Sequence, residues 1–358
     1  MVVLSRGSLK RPRSGLAPVA SPNAASIHRG VGVSILVSVA SFCDALLKAT
    51  LQQAVAQAQE PQDLHFAVVD QSPASFVEIT DADVYPARLS LVKIDPLHAR
   101  GPCWARAIAM SFYRQEDWFF QIDSHMAFDP HWDQQLVIAA IQIVNRYGHA
   151  AISSYPSPFL LEDGLAVPKP TTEGALVHVL APGLQFPPDH RFLRFEAHPL
   201  ATHRPVSGFH LGAGCLFAPG VITQCLPYDP HFYFHGEEQA YALRLFSHGW
   251  SIWHIPKLPI YHLYNEKPDD TDAASPRRLL HWDKAIDEHR RVKWWDLEQA
   301  SRKRFDALIE NKLPGVFGLG SYFDLADYAQ FSGIDYRSRQ IHTKAFLTSP
   351  REPTPRAR

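Results

Sequence analysis

The sequence predicts an α/β fold in which helices flank a mostly parallel central sheet. In the first half of the chain, short apolar runs alternate with stretches whose apolar residues recur every three to four positions. The apolar runs are typical of buried strands and the periodic stretches of helices packed on a sheet, and their alternation favours parallel strands joined through helices. The predicted strands span residues 31–40, 64–69, 89–94, 118–122 and 150–154, and the predicted helices span residues 44–59, 101–113 and 132–146.

The second half of the chain has a different character. Prolines punctuate residues 156–205, so loops and short strands are predicted there. A helix is predicted at residues 236–248, a strand at 251–255 and mostly helix within 279–311, while the charged residues 267–275 are predicted to form a loop. We expect this loop-rich half to determine specificity, because loops on a rigid scaffold carry binding residues.

The composition narrows the class of protein. The chain has 358 residues and a formal net charge of −1 at pH 7, which gives no indication of a nucleic-acid partner or an anionic membrane surface. No apolar run reaches the ~18 residues of a membrane-spanning helix, so no membrane span is predicted. The four cysteines are scattered without a C-x-x-C pair. Reduced thiols and a cytoplasmic location are therefore expected.

One domain is predicted at residues 31–340, between two tails. Residues 1–30 are basic and contain no acidic residue, which is typical of a disordered leader. A transit peptide and non-native sequence upstream of the true start are the alternatives for this leader. Residues 341–358 are predicted to form a flexible tail.

The most informative segment follows the predicted strand at residues 118–122. Asp123 and His125 come directly after this strand, where ligands bind in open α/β sheets. Their spacing lets both side chains reach one divalent cation from a tight turn. A carboxylate with an imidazole favours Mn²⁺, with Mg²⁺ as the alternative, and such an ion suits the diphosphate of a sugar nucleotide. The competing interpretation is that Asp123 caps the turn and His125 packs beside it.

Six segments in order resemble one family. They span residues 37–44, 100–106, 121–126, 228–238, 261–264 and 331–336. In these segments the chain resembles the GlcNAc-transferase family typified by the cytoplasmic hydroxyproline N-acetylglucosaminyltransferases. The resemblance implies a GT-A fold, a UDP-sugar donor (UDP-GlcNAc), a divalent metal, and retention of anomeric configuration. It also implies a nucleotide-sugar half at residues 31–155, an acceptor half at residues 156–340, and a hydroxyl acceptor on a protein or a glycan.

The resemblance implies roles for particular acidic residues and histidines. His262 is expected to complete the metal site with Asp123 and His125, and His254 is a competing candidate. Asp123, Glu237 and Glu238 are the expected catalytic residues, with both glutamates binding acceptor or sugar. The glutamates also suit the first turn of a helix, where acidic side chains favour the macrodipole.

Four further residues are expected to contact the donor. Asp44 follows the first strand and is expected to contact the uridine or ribose, although an aspartate here can also cap the next helix. Arg100 and Arg106 flank a predicted helix start that can face phosphates, and either can instead be a surface arginine. Gly214 lies in a small-residue turn expected beneath the donor sugar.

Three functions are consistent with this pattern. The favoured one is a metal-dependent glycosyltransferase. The second is a non-catalytic sugar-nucleotide or carbohydrate-binding protein on the same fold, because fold alone does not imply function. The third is a metal-dependent hydrolase, for which Asp129 or Asp133 would have to activate water.

Overall fold

The structure, a computed structural model, describes residues 33–264 and 278–348. The leader predicted at residues 1–30, the charged loop predicted at 267–275 and residues 349–358 of the predicted tail lie outside these ranges. The strands, in chain order, are β1 (Ile35–Phe42), β2 (Leu64–Gln71), β3 (Arg88–Lys93), β4 (Trp118–Asp123), β5 (Met126–Phe128), β6 (Ala150–Ile152), β7 (Ser157–Glu162), β8 (Leu165–Pro168), β9 (Ala175–Leu180), β10 (Phe195–Leu200), β11 (Val206–Gly208), β12 (Cys215–Pro219), β13 (Ser251–His254), β14 (Ile260–His262), β15 (Ile334–Asp335) and β16 (Gln340–Ile341). The helices are α1 (Leu47–Gln57), α2 (Asp81–Val84), α3 (Pro102–Met110), α4 (Trp132–Tyr147), α5 (Ile222–Cys225), α6 (Glu237–Ser247), α7 (Lys284–Asp287), α8 (Trp294–Ile309) and α9 (Leu325–Ser332).

Eight strands form the central sheet, in the order β11-β13-β6-β12-β4-β1-β2-β3. Strand β1 is parallel to β2 and β4, β2 is parallel to β3, and β6 is parallel to β13. Strand β12 runs antiparallel to both of its neighbours, and β11 is antiparallel to β13. The predicted α/β fold with a mostly parallel sheet is confirmed, with β12 as the reversed strand at its centre.

Both faces of the sheet are covered, which explains why its strands read as continuous apolar runs. Successive side chains alternate between two cores, as the two-residue period of a strand requires. In β1, Val37 and Val39 join the core under α1 and α4, while Leu36 joins the core under α3, α6 and α8. The predicted elements of the first half are present with small shifts of their ends.

A second sheet, in the order β5-β14-β7-β8, brings distant residues together. Strand β5 begins one residue after His125, and its antiparallel register pairs Met126 with His262. The register therefore places His262 beside His125, although 136 residues separate them along the chain.

The segment predicted to be mostly helical at residues 279–311 is mostly helical, in two helices, α7 and α8, joined by turns. The predicted C-terminal tail differs from the structure. Residues 341–348, assigned to the flexible tail, include the end of β16 and a 3₁₀ helix at Thr343–Phe346. Ala345 in that helix is fully buried, so this part of the tail packs onto the domain. Within the described ranges, no helix has the length and apolarity needed to cross a bilayer.

Candidate active site

A cleft of about 900 Å³ opens at the carboxyl ends of β1, β2 and β4. Because these strands are parallel, the residues that follow them meet at one edge of the sheet, which is where open α/β sheets bind ligands. Asp44 follows β1, Gln71 ends β2 and Asp123 ends β4, and all three line the cleft.

Asp123, His125 and His262 form a cluster, called here the metal-ligand cluster. One potential ligand atom from each residue lies within 4.8 Å of the others. His125 Nε2 is 3.0 Å from His262 Nε2, which is 3.2 Å from Asp123 Oδ2. The three predicted ligands are therefore together, and two nitrogens and a carboxylate oxygen suit a transition-metal ion.

Asp44 fixes the orientation of His125. Its Oδ2 lies 2.6 Å from His125 Nδ1 and also accepts a hydrogen bond from Ser124 Oγ, while Oδ1 accepts from the Leu46 amide. Burial acts to raise the pKa of Asp44, but the hydrogen bonds from His125 and the other donors outweigh burial and lower this pKa. An ionised carboxylate only accepts hydrogen bonds, so Nδ1 of His125 carries a proton, and in the neutral imidazole Nε2 then presents its lone pair to the cluster.

His262 is suited to be neutral at physiological pH. Burial lowers its pKa to about 4, although the hydrogen bond to Asp123 acts in the opposite direction. Its Nδ1 is buried and has no hydrogen-bond partner among the described residues. Burial also acts to raise the pKa of Asp123, but His262 and the charge of Arg106 hold that pKa well below its usual range.

Arg106 is buried behind the cluster and bridges two carboxylates. Its Nη2 donates to Asp123 Oδ1 at 3.2 Å, and its Nη1 donates to Glu237 Oε1 at 2.8 Å. The hydroxyl of Tyr228 donates a hydrogen bond to the other oxygen of Glu237. Burial raises the pKa of Glu237 to about 7, and Arg106 opposes that rise. Arg106 and Glu237 line the cleft, and their hydrogen bonds to each other, to Asp123 and to Tyr228 hold them in place there.

Glu238 and Gly214 lie at the surface of the cleft. Oε1 of Glu238 accepts a hydrogen bond from the Ala213 amide at 2.7 Å, and its side chain is partly exposed. A Cβ at Gly214 would lie 2.6 Å from Asp123 Oδ2, so only glycine lets this turn approach the metal-ligand cluster so closely.

Two sequence candidates lie outside the cleft. Arg100 is exposed, places its guanidinium over Trp104, and is not among the residues that line the cleft. His254 is buried, is not among the residues that line the cleft, and has Nδ1 hydrogen-bonded to the Ser153 carbonyl at 2.8 Å. Its ring packs against Gly208 rather than against the metal-ligand cluster.

Three cleft residues were missed by the sequence reasoning. Oε1 of Gln71 and Oγ of Ser41 are buried without a hydrogen-bond partner among the described residues. Arg278 is half-buried; burial lowers its pKa, and the nearby charges of Asp44 and Asp123 act against this effect. Gln71 could have been predicted, because it ends β2 and the carboxyl ends of parallel strands form the cleft. Nothing in the local sequence indicates that Arg278 lies there.

The sequence matches the model of the family described as Glycosyltransferase (GlcNAc) over residues 82–338, well over half of the chain. The chain belongs to this family, and the predicted resemblance is confirmed. The central sheet with its one reversed inner strand agrees with the GT-A type of fold that the resemblance implied. No curated protein matches the sequence.

Several solved glycosyltransferase structures are similar at low identity. GalNAc-T7 with UDP, GalNAc and Mn²⁺ is 14% identical with a TM-score of 0.46, over 66% of this chain and 46% of that one. S. aureus TarS 1-349 in complex with UDP-GlcNAc is 11% identical with a TM-score of 0.41, and the match covers 77% of this chain and 73% of that one. This chain thus spans less than half of the GalNAc-T7 chain. These TM-scores are too low to define a common fold, so the assignment depends on the family match.

Proposed function

We propose that this chain is a Mn²⁺-dependent glycosyltransferase that moves GlcNAc from UDP-GlcNAc to a hydroxyl acceptor with retention of configuration. The observation that carries the proposal is the convergence of Asp123, His125 and His262 in a cleft at the sheet edge. The family match supports the reaction class. The donor sugar, the metal, the stereochemistry and the cytoplasmic location stay predictions.

The residues present fit a divalent ion. His125 presents a lone pair because Asp44 holds its other nitrogen, and His262 is uncharged near neutral pH. Asp123 is ionised and offers Oδ2, since Arg106 occupies Oδ1. Bound here, an ion of this kind would neutralise the charge that develops on the departing diphosphate.

Donor binding is assigned to the strand ends beside the metal-ligand cluster. Gln71 and Ser41 each keep one buried polar atom without a partner among the described residues, and a nucleobase edge can satisfy such atoms. In this proposal the guanidinium of Arg278, which lines the cleft and interacts with the charge of Asp123, contacts a donor phosphate. Asp44 acts through His125 in this proposal, since both of its oxygens already accept hydrogen bonds from this chain.

The transfer step needs orientation more than a dedicated base. The leaving phosphate can accept the proton of the acceptor hydroxyl when both are held in line. Glu238 accepts a hydrogen bond from the Ala213 amide and lines the cleft, and in this proposal it binds the donor sugar or the acceptor hydroxyl. Glu237 is a positioning residue, because it reaches Asp123 only through Arg106.

The hydrolase alternative is less consistent with the geometry. Asp133 accepts hydrogen bonds from the Gln59 and Glu60 amides, and Asp129 accepts one from the Tyr261 hydroxyl. Neither aspartate lines the cleft, so neither is placed to activate a water beside the metal-ligand cluster. A binding-only protein would bind the UDP-sugar without turning it over, so an assay of turnover distinguishes it from the enzyme.

The test is release of UDP from a panel of UDP-sugars, with Mn²⁺ and then with EDTA. We expect metal-dependent release from UDP-GlcNAc, abolished by Asp123→Asn with the fold intact. Asp133→Asn is the matched control, because it changes a buried carboxylate outside the cleft. If Asp123→Asn released UDP at the wild-type rate, the metal-binding role of Asp123 would be refuted. Binding of a UDP-sugar without release, even when candidate acceptors are supplied, would favour the binding-only function.

A further inference from the structure

Part of the cleft wall is aromatic and takes no part in the donor site described above. This part, called here the aromatic wall, is formed by Trp282, Trp294, Trp295 and His235. The His235 and Trp282 rings stack with centroids 5.9 Å apart and planes 29° apart. Trp295 is 46% exposed. The face of an aromatic ring carries partial negative charge, which attracts the C–H groups on the apolar face of a saturated ring.

A buried carboxylate adjoins this wall. Glu298 lines the cleft although it is only 2% exposed. Its Oε1 lies 3.2 Å from His235 Nδ1 and 3.9 Å from Arg302 Nε. Its Oε2 is buried and has no hydrogen-bond partner among residues 33–264 and 278–348. Because an unsatisfied buried acceptor is costly, this oxygen indicates a ligand that brings a hydroxyl or amide donor.

The local charges favour a neutral ligand. Arg302 places its guanidinium 5.0 Å from the Trp295 ring and donates a hydrogen bond to Asp189. The positive charge of Arg302 would repel a cationic ligand at the wall, and the carboxylate of Glu298 would repel an anionic one. The described residues from 278 to 302 form helices and turns, so this side offers no strand edge to a peptide backbone.

We propose that the aromatic wall and Glu298 bind the acceptor, and that the acceptor group bound there is the pyranose ring of a glycan. The ring stacks through its C–H face on the indoles and donates a hydroxyl to Oε2 of Glu298. The inference rests on the proposed function, since it assigns the acceptor of the same cleft. His235 lies three residues before Glu238, and both line the same cleft, so the proposed acceptor site and the residue assigned to the reacting groups share one cavity.

The test is saturation-transfer NMR with methyl pyranosides of glucose, galactose, mannose and GlcNAc, in the presence of Mn²⁺ and UDP. We expect at least one pyranoside to bind, and its affinity to fall at least about tenfold in Trp295→Ala and in Glu298→Gln. Trp295 is already exposed, so its removal should leave the fold intact. Tyr322→Ala, at an exposed aromatic outside the cleft, is the matched control and should bind as wild type does.

Two results would overturn the inference: no pyranoside binds, or one binds equally well to wild type and to both cleft variants. A proline-rich peptide that binds in their place and depends on Trp295 would also overturn it, in favour of a polypeptide acceptor. UDP-GlcNAc binding is recorded in parallel samples that contain Mn²⁺ but no UDP. Absence of donor binding in the wild type would count against the proposed function, whereas donor binding without pyranoside binding would count against the acceptor assignment alone.

Discussion

Asp44→Asn tests the metal-ligand cluster through a residue that does not offer it a ligand atom. In the wild type, Asp44 Oδ2 accepts the Nδ1 proton of His125 at 2.6 Å, which leaves Nε2 with a free lone pair. An asparagine can place its NH₂ group there and donate to Nδ1 instead. The proton of His125 then moves to Nε2, and the nitrogen that faces His262 can no longer bind a cation.

The expected size of this effect follows from the role of such supporting carboxylates. Removing one typically weakens metal binding about 10- to 100-fold, roughly 1.4–2.7 kcal/mol. The assay is a Mn²⁺ titration followed by electron paramagnetic resonance, with and without UDP, so that affinity is read independently of turnover. Asp133→Asn is the matched control, since Asp133 is also buried and accepts backbone N–H groups but lies outside the cleft. Wild-type Mn²⁺ affinity in a folded Asp44→Asn protein would refute the tautomer argument.

Three further changes test the surroundings of the cluster. Gly214→Ala places a Cβ 2.6 Å from Asp123 Oδ2, so the carboxylate must move and the rate of UDP release should fall about 100-fold. An unchanged rate would show that the turn adapts freely. Tyr228→Phe leaves a buried oxygen of Glu237 without its hydroxyl donor, so the free energy of unfolding measured by urea denaturation should fall by about 1–3 kcal/mol. A urea curve with the same midpoint and slope as that of the wild type would contradict this contact. Since burial raises the pKa of Glu237 to about 7, its stabilising contribution is fully present below pH ~4.5 and lost as pH rises through 7. The free energy of unfolding of wild type relative to Glu237→Gln, measured in EDTA, should therefore fall by up to about 3 kcal/mol between pH 5 and pH 8, and a flat difference would refute this.

The parallel half of the fold could be predicted because each strand carries its own signal. The runs that became β1, β2 and β4 are apolar and end in polar residues, so the strand assignment and the cleft edge followed together. The Asp123–His125 pair was visible for the same reason. His262 required the family resemblance, because the β5–β14 register that brings it to His125 is a long-range pairing without a local signature.

The partners of the buried charged residues could not be predicted from the sequence. Arg106 was expected to contact phosphates and Glu237 to contact acceptor or sugar, yet they engage each other across elements 131 residues apart. A first-turn glutamate and a helical arginine have no pattern that shows which of them turns inward. Asp44 is a similar case, since a capping residue and a support for His125 look identical in sequence.

The charges around the cluster explain why a nucleotide-diphosphate donor should need a cation. Asp44 and Asp123 have lowered pKa values and are ionised at neutral pH, His262 is neutral, and the charge of Arg106 is shared between Asp123 and Glu237. The diphosphate of UDP would add negative charge beside Asp123, so without a cation the two repel each other. We therefore expect calorimetry to show weaker UDP binding to the wild type in EDTA than in Mn²⁺. Asp123→Asn should reverse the order of the two proteins, binding UDP more tightly than wild type in EDTA and more weakly in Mn²⁺. If Asp123→Asn weakens UDP binding in both conditions, the carboxylate does not act on the donor through its charge and the electrostatic account is wrong.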